Sequence, residues 1–238
     1  MSNSFVVKSK TRGYADHGWL KSYHSFSFAS YYHTDRMHFG ALRVLNDDFV
    51  IGGEGFGTHP HSNMEIISIA LEGDLEHKDS MGNGTVIKKG DVQIMSAGTG
   101  IQHSEFNASA IEPVKFLQIW IIPKVPNTAP SYQQISLNGT DRKNKIQQIV
   151  TPIPCDNKLS INQDAWLALS DLEAEKDIKY ELKSKENGVY IFVLRGSLSI
   201  EQKLLESRDA IGIWNTQTIQ IKANNNSEIL IIEVPMRL

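Results

Sequence analysis

The chain has 238 residues, of which 40% are hydrophobic and 21% charged, and its formal net charge is −3. These values are typical of a soluble globular protein with one large domain or two small ones. The negative charge argues against a nucleic-acid-binding surface, which usually carries clustered lysine and arginine. No apolar run approaches the roughly eighteen residues needed to cross a bilayer, so a membrane role is not expected.

Short segments rich in β-branched and aromatic residues follow one another along the chain, separated by turns of Gly, Asn, Asp or Pro. Helical periodicity is weak throughout. Many short strands without intervening helices predict an all-β fold, an antiparallel sandwich or barrel. In chain order, the predicted strands are Phe5–Val7, Ser25–Phe28, Ala41–Val44, Glu65–Leu71, Asp91–Met95, Phe116–Ile122, Val189–Leu194 and Glu228–Val234.

An internal repeat divides the chain into two units. Segment 71–77, LEGDLEH, is similar to segment 194–200, LRGSLSI, and each follows an apolar run. Each is followed by a second similar phrase, GDVQIM at 90–95 and DAIGIW at 209–214. Such a pattern indicates duplication of a β unit of roughly one hundred residues. We predict domains at 1–136 and 149–238, joined by a polar linker at 137–148.

All eight histidines lie in the first unit, and two short constellations among them have metal-ligand character. His59 and His61 are one residue apart, as are His103 and Glu105. Residues i and i+2 of a strand point to the same face, so both pairs can converge inside a barrel. Three imidazoles and one carboxylate suit Fe(II), and also Mn, Ni, Cu or Zn. A lone pair of this kind is more often a surface or packing feature, but two glycine-framed pairs favour a metal site.

The repeat predicts that the second unit lacks this site. Its offset aligns the first histidine pair with Leu182 and Ser184, and the second pair with positions near Ile221 and Ala223. None of these is a metal ligand of the first unit's kind. We therefore expect one functional domain and one diverged domain.

Strand parity alone does not identify the carboxylate ligand. Glu65 shares a face with His59 and His61 if that strand is regular, and Glu105 shares a face with His103. Both glutamates stay open on this ground.

The phrases around these residues resemble a known family. The spacing of both pairs is similar to the two motifs of the cupin superfamily, small β-barrels with ligands on neighbouring strands. HPH at 59–61, GDVQ at 90–93, SAGTGI at 96–101 and HSE at 103–105 resemble the pirin family, closest to its bacterial quercetinase-like members. HGWL at 17–20 and FSF at 26–28 resemble its N-terminal signature. The similarity is specific over 12–123, although the first motif is one residue longer than usual and Ser96 stands where many cupins have proline.

This resemblance implies a bicupin of two tandem jelly-roll barrels with one divalent metal ion in the N-terminal barrel. The implied ligands are His59, His61, His103 and Glu105, with Glu65 orienting an imidazole N–H. Fe(II) is the expected ion, and Cu, Ni, Mn, Co and Zn are alternatives. Two fused barrels resemble a cupin dimer, which favours a monomer.

The implied activity is a quercetin 2,3-dioxygenase reaction, in which a flavonol-like aromatic substrate is cleaved with O2 and Glu105 acts as general base. An alternative is an iron-dependent redox sensor that binds a protein partner, as a transcriptional co-regulator does. A third is a metal-assisted isomerase or hydrolase.

Other residues receive structural interpretations. Cys155 is the only cysteine, which excludes an intrachain disulfide, and the first twelve residues lack a signal-peptide core, so we predict a cytoplasmic protein.

His77 is predicted to face solvent or cap the turn after Gly73. His17, His24, His33 and His38 are expected to pack or lie at the surface, with room for one in a pocket wall. The cluster Phe26, Phe28, Tyr31 and Tyr32 is assigned to the core and the interface between barrels, and no function is assigned to Trp19, Trp120, Trp166 and Trp214.

Overall fold

A computed structural model describes residues 2–237 and contains two β-barrels, each formed by a seven-stranded and a four-stranded sheet. Of the ladders between the strands named below, all are antiparallel apart from the one that joins Val150 and Thr151 to Leu159 and Ser160. The strands of the first barrel are β2 (Gly13–Asp16), β3 (Leu20–His24), β4 (Leu42–Val50), β5 (Gly55–His61), β6 (Glu65–Glu72), β7 (Leu75–Asp79), β8 (Gly84–Ile87), β9 (Asp91–Ser96), β10 (Ile101–Asn107), β11 (Val114–Ile121) and β12 (Ser131–Ser136).

The second barrel uses the remaining strands. They are β1 (Asn3–Val7), β13 (Gln147–Thr151), β14 (Leu159–Ser160), β15 (Trp166–Leu172), β16 (Asp177–Glu181), β17 (Asn187–Arg195), β18 (Ser197–Ile200), β19 (Lys203–Glu206), β20 (Ala210–Trp214), β21 (Thr218–Ala223) and β22 (Ser227–Pro235). Short 3-10 helices lie at Ser9–Thr11 and Gly139–Arg142. No helix within residues 2–237 is both long and apolar enough to cross a bilayer.

The two barrels repeat one strand order. The central strands of the large sheets run β9-β6-β11-β4 in the first barrel and β20-β17-β22-β15 in the second. The small sheets run β5-β10-β7-β8 and β16-β21-β18-β19. The predicted all-β fold with two tandem barrels is therefore confirmed.

The large sheets of the two barrels share one hydrophobic core. Along β6, Ile67 and Ile69 belong to the same buried cluster as Phe192 and Leu230 of the second barrel. Ile66 and Ser68 alternate with them and belong to the opposite, inner face. Burial on both faces explains why Ile66–Leu71 reads as an apolar run that only Ser68 interrupts.

The interior of the second barrel is apolar where the first carries its histidines. Ile221 of β21 lies opposite Ile178 of β16, and Ile221 is fully buried with Ile219 and Leu198. The predicted loss of ligands from this unit agrees with this packing.

One strand prediction was wrong, and one correctly predicted strand has its partner in the second barrel. Ser25–Phe28 is irregular, because the ladder of β3 ends at His24 and the following backbone bonds to Leu45 and Arg36 instead. Asn3–Val7 is a strand, but it pairs with β20 of the second barrel. The division into 1–136 and 149–238 stays a prediction. It assigns the N-terminal strand to the first unit, although that strand pairs with the second barrel.

The aromatic cluster divides between two environments. Phe26 is buried and packs on Tyr190 of the second barrel at 5.4 Å, as expected for the interface. Tyr32 is 71% exposed, so its assignment to the core was wrong. Phe28 packs edge-on against Trp120 in the first barrel.

Candidate metal centre

Three histidines converge because β5 and β10 are neighbours in the small sheet of the first barrel. His59 lies directly opposite His103, and His61 lies opposite Ile101. The ring centroids of His59 are 4.8 Å from those of His61 and 4.5 Å from those of His103. One nitrogen from each ring lies within 4.8 Å of the others. The structure thus brings together the three imidazoles that the two motifs supply.

The hydrogen bonds of these rings leave nitrogens free for a metal. His59 Nδ1 donates to the carbonyl of Gly57 at 2.8 Å, which leaves Nε2 as a lone-pair donor. His103 Nδ1 lies 3.5 Å from His77 Nδ1, and its buried Nε2 has no hydrogen-bond partner among residues 2–237. A buried nitrogen without a partner is costly unless a ligand satisfies it. The donor set therefore fits a transition-metal ion.

Burial favours the neutral form of His61 and His103, which is the form of an imidazole that binds metal. Burial, followed by the neighbouring His59, lowers the pKa of His61 to about 4. The pKa of His103 falls to about 3, mainly through burial and then through the surrounding histidines.

Glu105 lies beside this cluster on the same strand as His103. Its Oε1 accepts a hydrogen bond from Ser68 Oγ at 3.0 Å, and its Oε2 accepts one from Gln118 Nε2 at 2.7 Å. Burial raises the pKa of Glu105 to about 7, and these two hydrogen bonds oppose the rise. One of its oxygens lies within 4.8 Å of nitrogens of His103 and His77, so the carboxylate adjoins the three-histidine group.

Glu65 has a different role from the one expected. The chain turns at Ser62–Met64, with Asn63 at φ 49°, and Glu65 begins β6 in the other sheet. Its Oε2 accepts hydrogen bonds from Ser96 Oγ at 2.7 Å and from the backbone N–H of Asn162 at 3.2 Å. Within residues 2–237 it bonds to no imidazole, so the prediction that it orients one was wrong. Its hydrogen bond with Asn162 connects the turn at Ser62–Met64 to the second barrel.

His77 is buried, contrary to the solvent-facing or turn-capping role predicted for it. On β7 it lies opposite Glu105, and Asp79 lies opposite His103. His77 Nε2 lies 3.2 Å from Asp79 Oδ2, and its ring packs on that of Tyr132 at 4.8 Å. This carboxylate–histidine pair sits behind His103 and can fix its orientation, as such partners commonly do at metal sites. The alternation of His77 and Asp79 along one strand was the available sequence signal.

A cavity of about 310 Å³ opens beside the histidines. His59, His61 and Glu105 form one part of its wall, and aromatic side chains form another. Trp120 meets His61 edge-on at 4.9 Å. Sequence reasoning assigned no function to Trp120, because its place in this wall depends on the register of β11 against β4 and β6. Phe28 and Phe56 complete the aromatic surface.

Polar residues cross the large sheet beside this cavity at one level. Consecutive strands pair them directly: His24 with Asn46, Asn46 with Gln118, Gln118 with Ser68 and Ser68 with Gln93. His17 and His24 line the cavity. Both were expected to pack or to lie at the surface, with room for one histidine in a pocket wall. The barrel interior is thus lined by hydrogen-bonding groups next to an aromatic wall.

Asp48 is a second buried carboxyl group in the cavity wall. Its Oδ1 has no hydrogen-bond partner among residues 2–237. Burial raises the pKa of Asp48 to about 7, while the Ser22 hydroxyl acts in the opposite direction. No sequence pattern distinguished it from its neighbour Asp47.

Comparison with known proteins places this geometry in a family. Residues 6–121 match the Pirin family, and residues 148–234 match the family described as quercetinase C-terminal cupin domain. The chain is 42% identical over 235 residues to a protein of Escherichia coli K12 named quercetin 2,3-dioxygenase, covering 97% of this chain and 98% of that protein. A pirin-like protein of Caulobacter vibrioides is 39% identical over 222 residues, or 93% of this chain and 95% of its own length.

Solved structures agree with this. The crystal structure of YhhW from Escherichia coli has a TM-score of 0.94 at 41% identity, covering 98% of both chains. The nickel(II) complex of the same bacterial pirin has a TM-score of 0.93 at 40% identity, covering 98% of this chain and 99% of that one. The chain belongs to the pirin family.

Proposed function

We propose that this protein is a metal-dependent dioxygenase of the quercetin 2,3-dioxygenase type, which cleaves a flavonol-like aromatic substrate with O2. The observation that carries the proposal is the group of three imidazoles beside a cavity of about 310 Å³. That volume lies in the range of small-molecule sites. The name of the 42% identical relative supports the reaction type and the substrate class.

The proposed cofactor is one divalent transition-metal ion held by His59, His61, His103 and Glu105. Four donors leave one or two positions for substrate on an ion that prefers five or six ligands. We propose Fe(II), while the nickel(II) complex of the relative supports binding of other first-row ions. A bound metal would polarise the substrate hydroxyl and provide an electronic path between substrate and dioxygen.

Glu105 is proposed as the general base. Burial raises its pKa to about 7, close to the value that suits proton transfer at neutral pH. It would accept the proton of the flavonol 3-hydroxyl, while Ser68 and Gln118 hold the carboxylate in place.

The aromatic wall is proposed to hold the flat rings of the substrate. Trp120 packs against both His61 and Phe28, so a ring system lying on its face would be directed toward the imidazoles. Such contacts favour stacked or edge-on aromatic partners.

The test is oxygen uptake by the metal-loaded, full-length protein mixed with quercetin, with loss of flavonol absorbance followed in parallel. We expect one O2 consumed per quercetin and release of carbon monoxide. Metal-depleted protein is the control. Metal-loaded protein that consumes no O2 would contradict the proposal. That result would favour the alternative of an iron-dependent redox sensor that binds a protein partner. Turnover of a substrate in strict anaerobiosis would favour an isomerase or hydrolase.

A further inference from the structure

A second cleft lies where the two barrels meet. It is lined by arginine and lysine side chains rather than by histidines. Its volume is about 630 Å³. Arg12 follows the first 3-10 helix, Asp47 comes from β4 of the first barrel, and Arg208 comes from the turn between β19 and β20 of the second. Neither arginine takes part in the proposed oxygenase chemistry.

The two arginines share a single carboxylate oxygen. Arg12 Nη2 and Arg208 Nε each lie 3.3 Å from Asp47 Oδ2. One negative charge therefore faces two positive charges. Lys10 and Lys21 also line the cleft and add to the excess of positive charge.

Several buried N–H donors of this pair have no acceptor. Among residues 2–237, Arg12 Nε, Arg12 Nη1 and Arg208 Nη1 are buried and make no hydrogen bond. Only 3% of the Arg12 side chain is exposed. A buried charged donor without an acceptor is costly, and native proteins contain few such groups.

Aromatic rings hold the Arg12 guanidinium in one place. Its Cζ lies 5.2 Å from the ring centroid of Tyr23 and 5.3 Å from that of Phe192. The Arg208 Cζ lies 6.0 Å from the same Phe192 ring. Arg208 itself has φ 69°, in the left-handed region, and its N–H donates to the Val193 carbonyl. The donors are thus fixed before any ligand arrives.

A purely structural clamp between the barrels would be expected to satisfy its own donors. An arginine–carboxylate–arginine triad is stable only when its remaining hydrogen-bonding groups are paired. Here three donor nitrogens are left without an acceptor on two planar guanidinium groups. Such groups match the paired oxygens of a phosphate or carboxylate.

We propose that this cleft binds an oxyanion, the phosphate or carboxylate group of a small molecule, through Arg12 and Arg208. The site lies outside the proposed oxygenase centre and goes beyond the proposed function. Lys10 and Lys21 would supply further positive charge at its rim. The anion would link the first barrel to the second through one shared ligand.

The experiment is calorimetric titration of the full-length protein with inorganic phosphate and, separately, with succinate, at constant ionic strength set by chloride. We expect one saturable site per chain for at least one of the two anions. Phosphate alone would assign a phosphoryl ligand, and succinate alone would assign a carboxylate ligand. Arg208→Gln should weaken the binding at least tenfold. Because 29% of the Arg208 side chain is exposed, this variant is suited to the test if Arg12→Gln fails to fold.

The matched control is Lys179→Gln. It removes one positive charge from β16, at the opposite edge of the small sheet from β19, where Lys179 pairs with Glu181. Its anion affinity should equal that of the parent. The proposal is overturned if neither anion binds saturably, or if Arg208→Gln, folded by circular dichroism, binds the anion as tightly as the parent does.

Discussion

The buried carboxyl of Asp48 gives a quantitative prediction for the metal-free protein. Burial raises its pKa to about 7 in the folded chain, whereas the unfolded value is about 3.9. This difference corresponds to about 4 kcal/mol of unfolding free energy. The contribution is fully present below the unfolded pKa and is lost as the pH rises through the folded pKa. The parent should therefore lose stability between about pH 4 and pH 7.

Asp48→Asn keeps the shape of the side chain and removes this ionisation. The metal-free variant should be more stable than the parent by up to about 4 kcal/mol at pH 8, and by about 1.5 kcal/mol at pH 5. Urea unfolding followed by tryptophan fluorescence measures both values. Glu105, whose pKa is also raised by burial, will leave some pH dependence in the variant.

The control for this series is Asp35→Asn, which changes an exposed carboxylate of the first barrel and should leave the pH dependence unaltered. The reasoning is refuted if Asp48→Asn is no more stable than the parent at pH 8. It is refuted equally if the two proteins lose stability in parallel as the pH rises.

Further predictions concern the metal centre. His61→Ala and His103→Ala should lose most bound metal by elemental analysis while remaining folded, since the second barrel folds around an apolar interior; full metal content would contradict the ligand assignment. Glu105→Gln should lower kcat/KM for quercetin by about 10²–10⁴-fold through loss of the base, and unchanged turnover would exclude that role. His77→Phe should weaken metal affinity by about 10–100-fold, because it removes the partner of His103. Competition with a chelator measures this affinity, and an unchanged value would show that other contacts orient His103. Trp120→Ala should raise KM for quercetin in steady-state assays more than it lowers kcat, whereas an unaltered KM would place the aromatic rings elsewhere.

Much of the fold was predictable because the strands of the large sheets have strong local signals. The strand that begins at Glu65 is buried on both faces, so five of its eight residues are apolar, and it was predicted to within one residue. The repeat of LEGDLEH and LRGSLSI corresponds to the turns by which the chain passes from β6 to β7 and from β17 to β18, where Gly73 and Gly196 both have positive φ. Glycine turns and apolar strands are found in both copies because each barrel must form its own turns and its own buried sheet.

Other features depend on contacts that a single chain's pattern does not encode. Ser25–Ser27 is buried like a strand, but its backbone bonds to a loop and to β4 rather than to a regular ladder. Phe5–Val7 was correctly predicted as part of a strand, yet the partner strand β20 is about two hundred residues away. Propensity identifies the extended conformation and not the partner.

The candidate site shows the same division. The i, i+2 spacing was enough to predict that His59 and His61 face His103, because two strands of one barrel sheet impose that geometry. The same parity argument failed for Glu65, since the chain turns before it and changes sheets. His77, Trp120 and Asp48 reach the site from three further strands, and their roles follow from register across the barrel.

The central claim is that one metal ion is held between His59, His61, His103 and Glu105. The most direct measurement is anomalous X-ray diffraction from crystals of the metal-loaded protein, recorded on both sides of the metal's absorption edge. We predict a single anomalous peak in the first barrel, about 2 Å from a nitrogen of each of the three imidazoles and from a Glu105 oxygen. A peak elsewhere, or none between these side chains at full metal loading, would contradict the account.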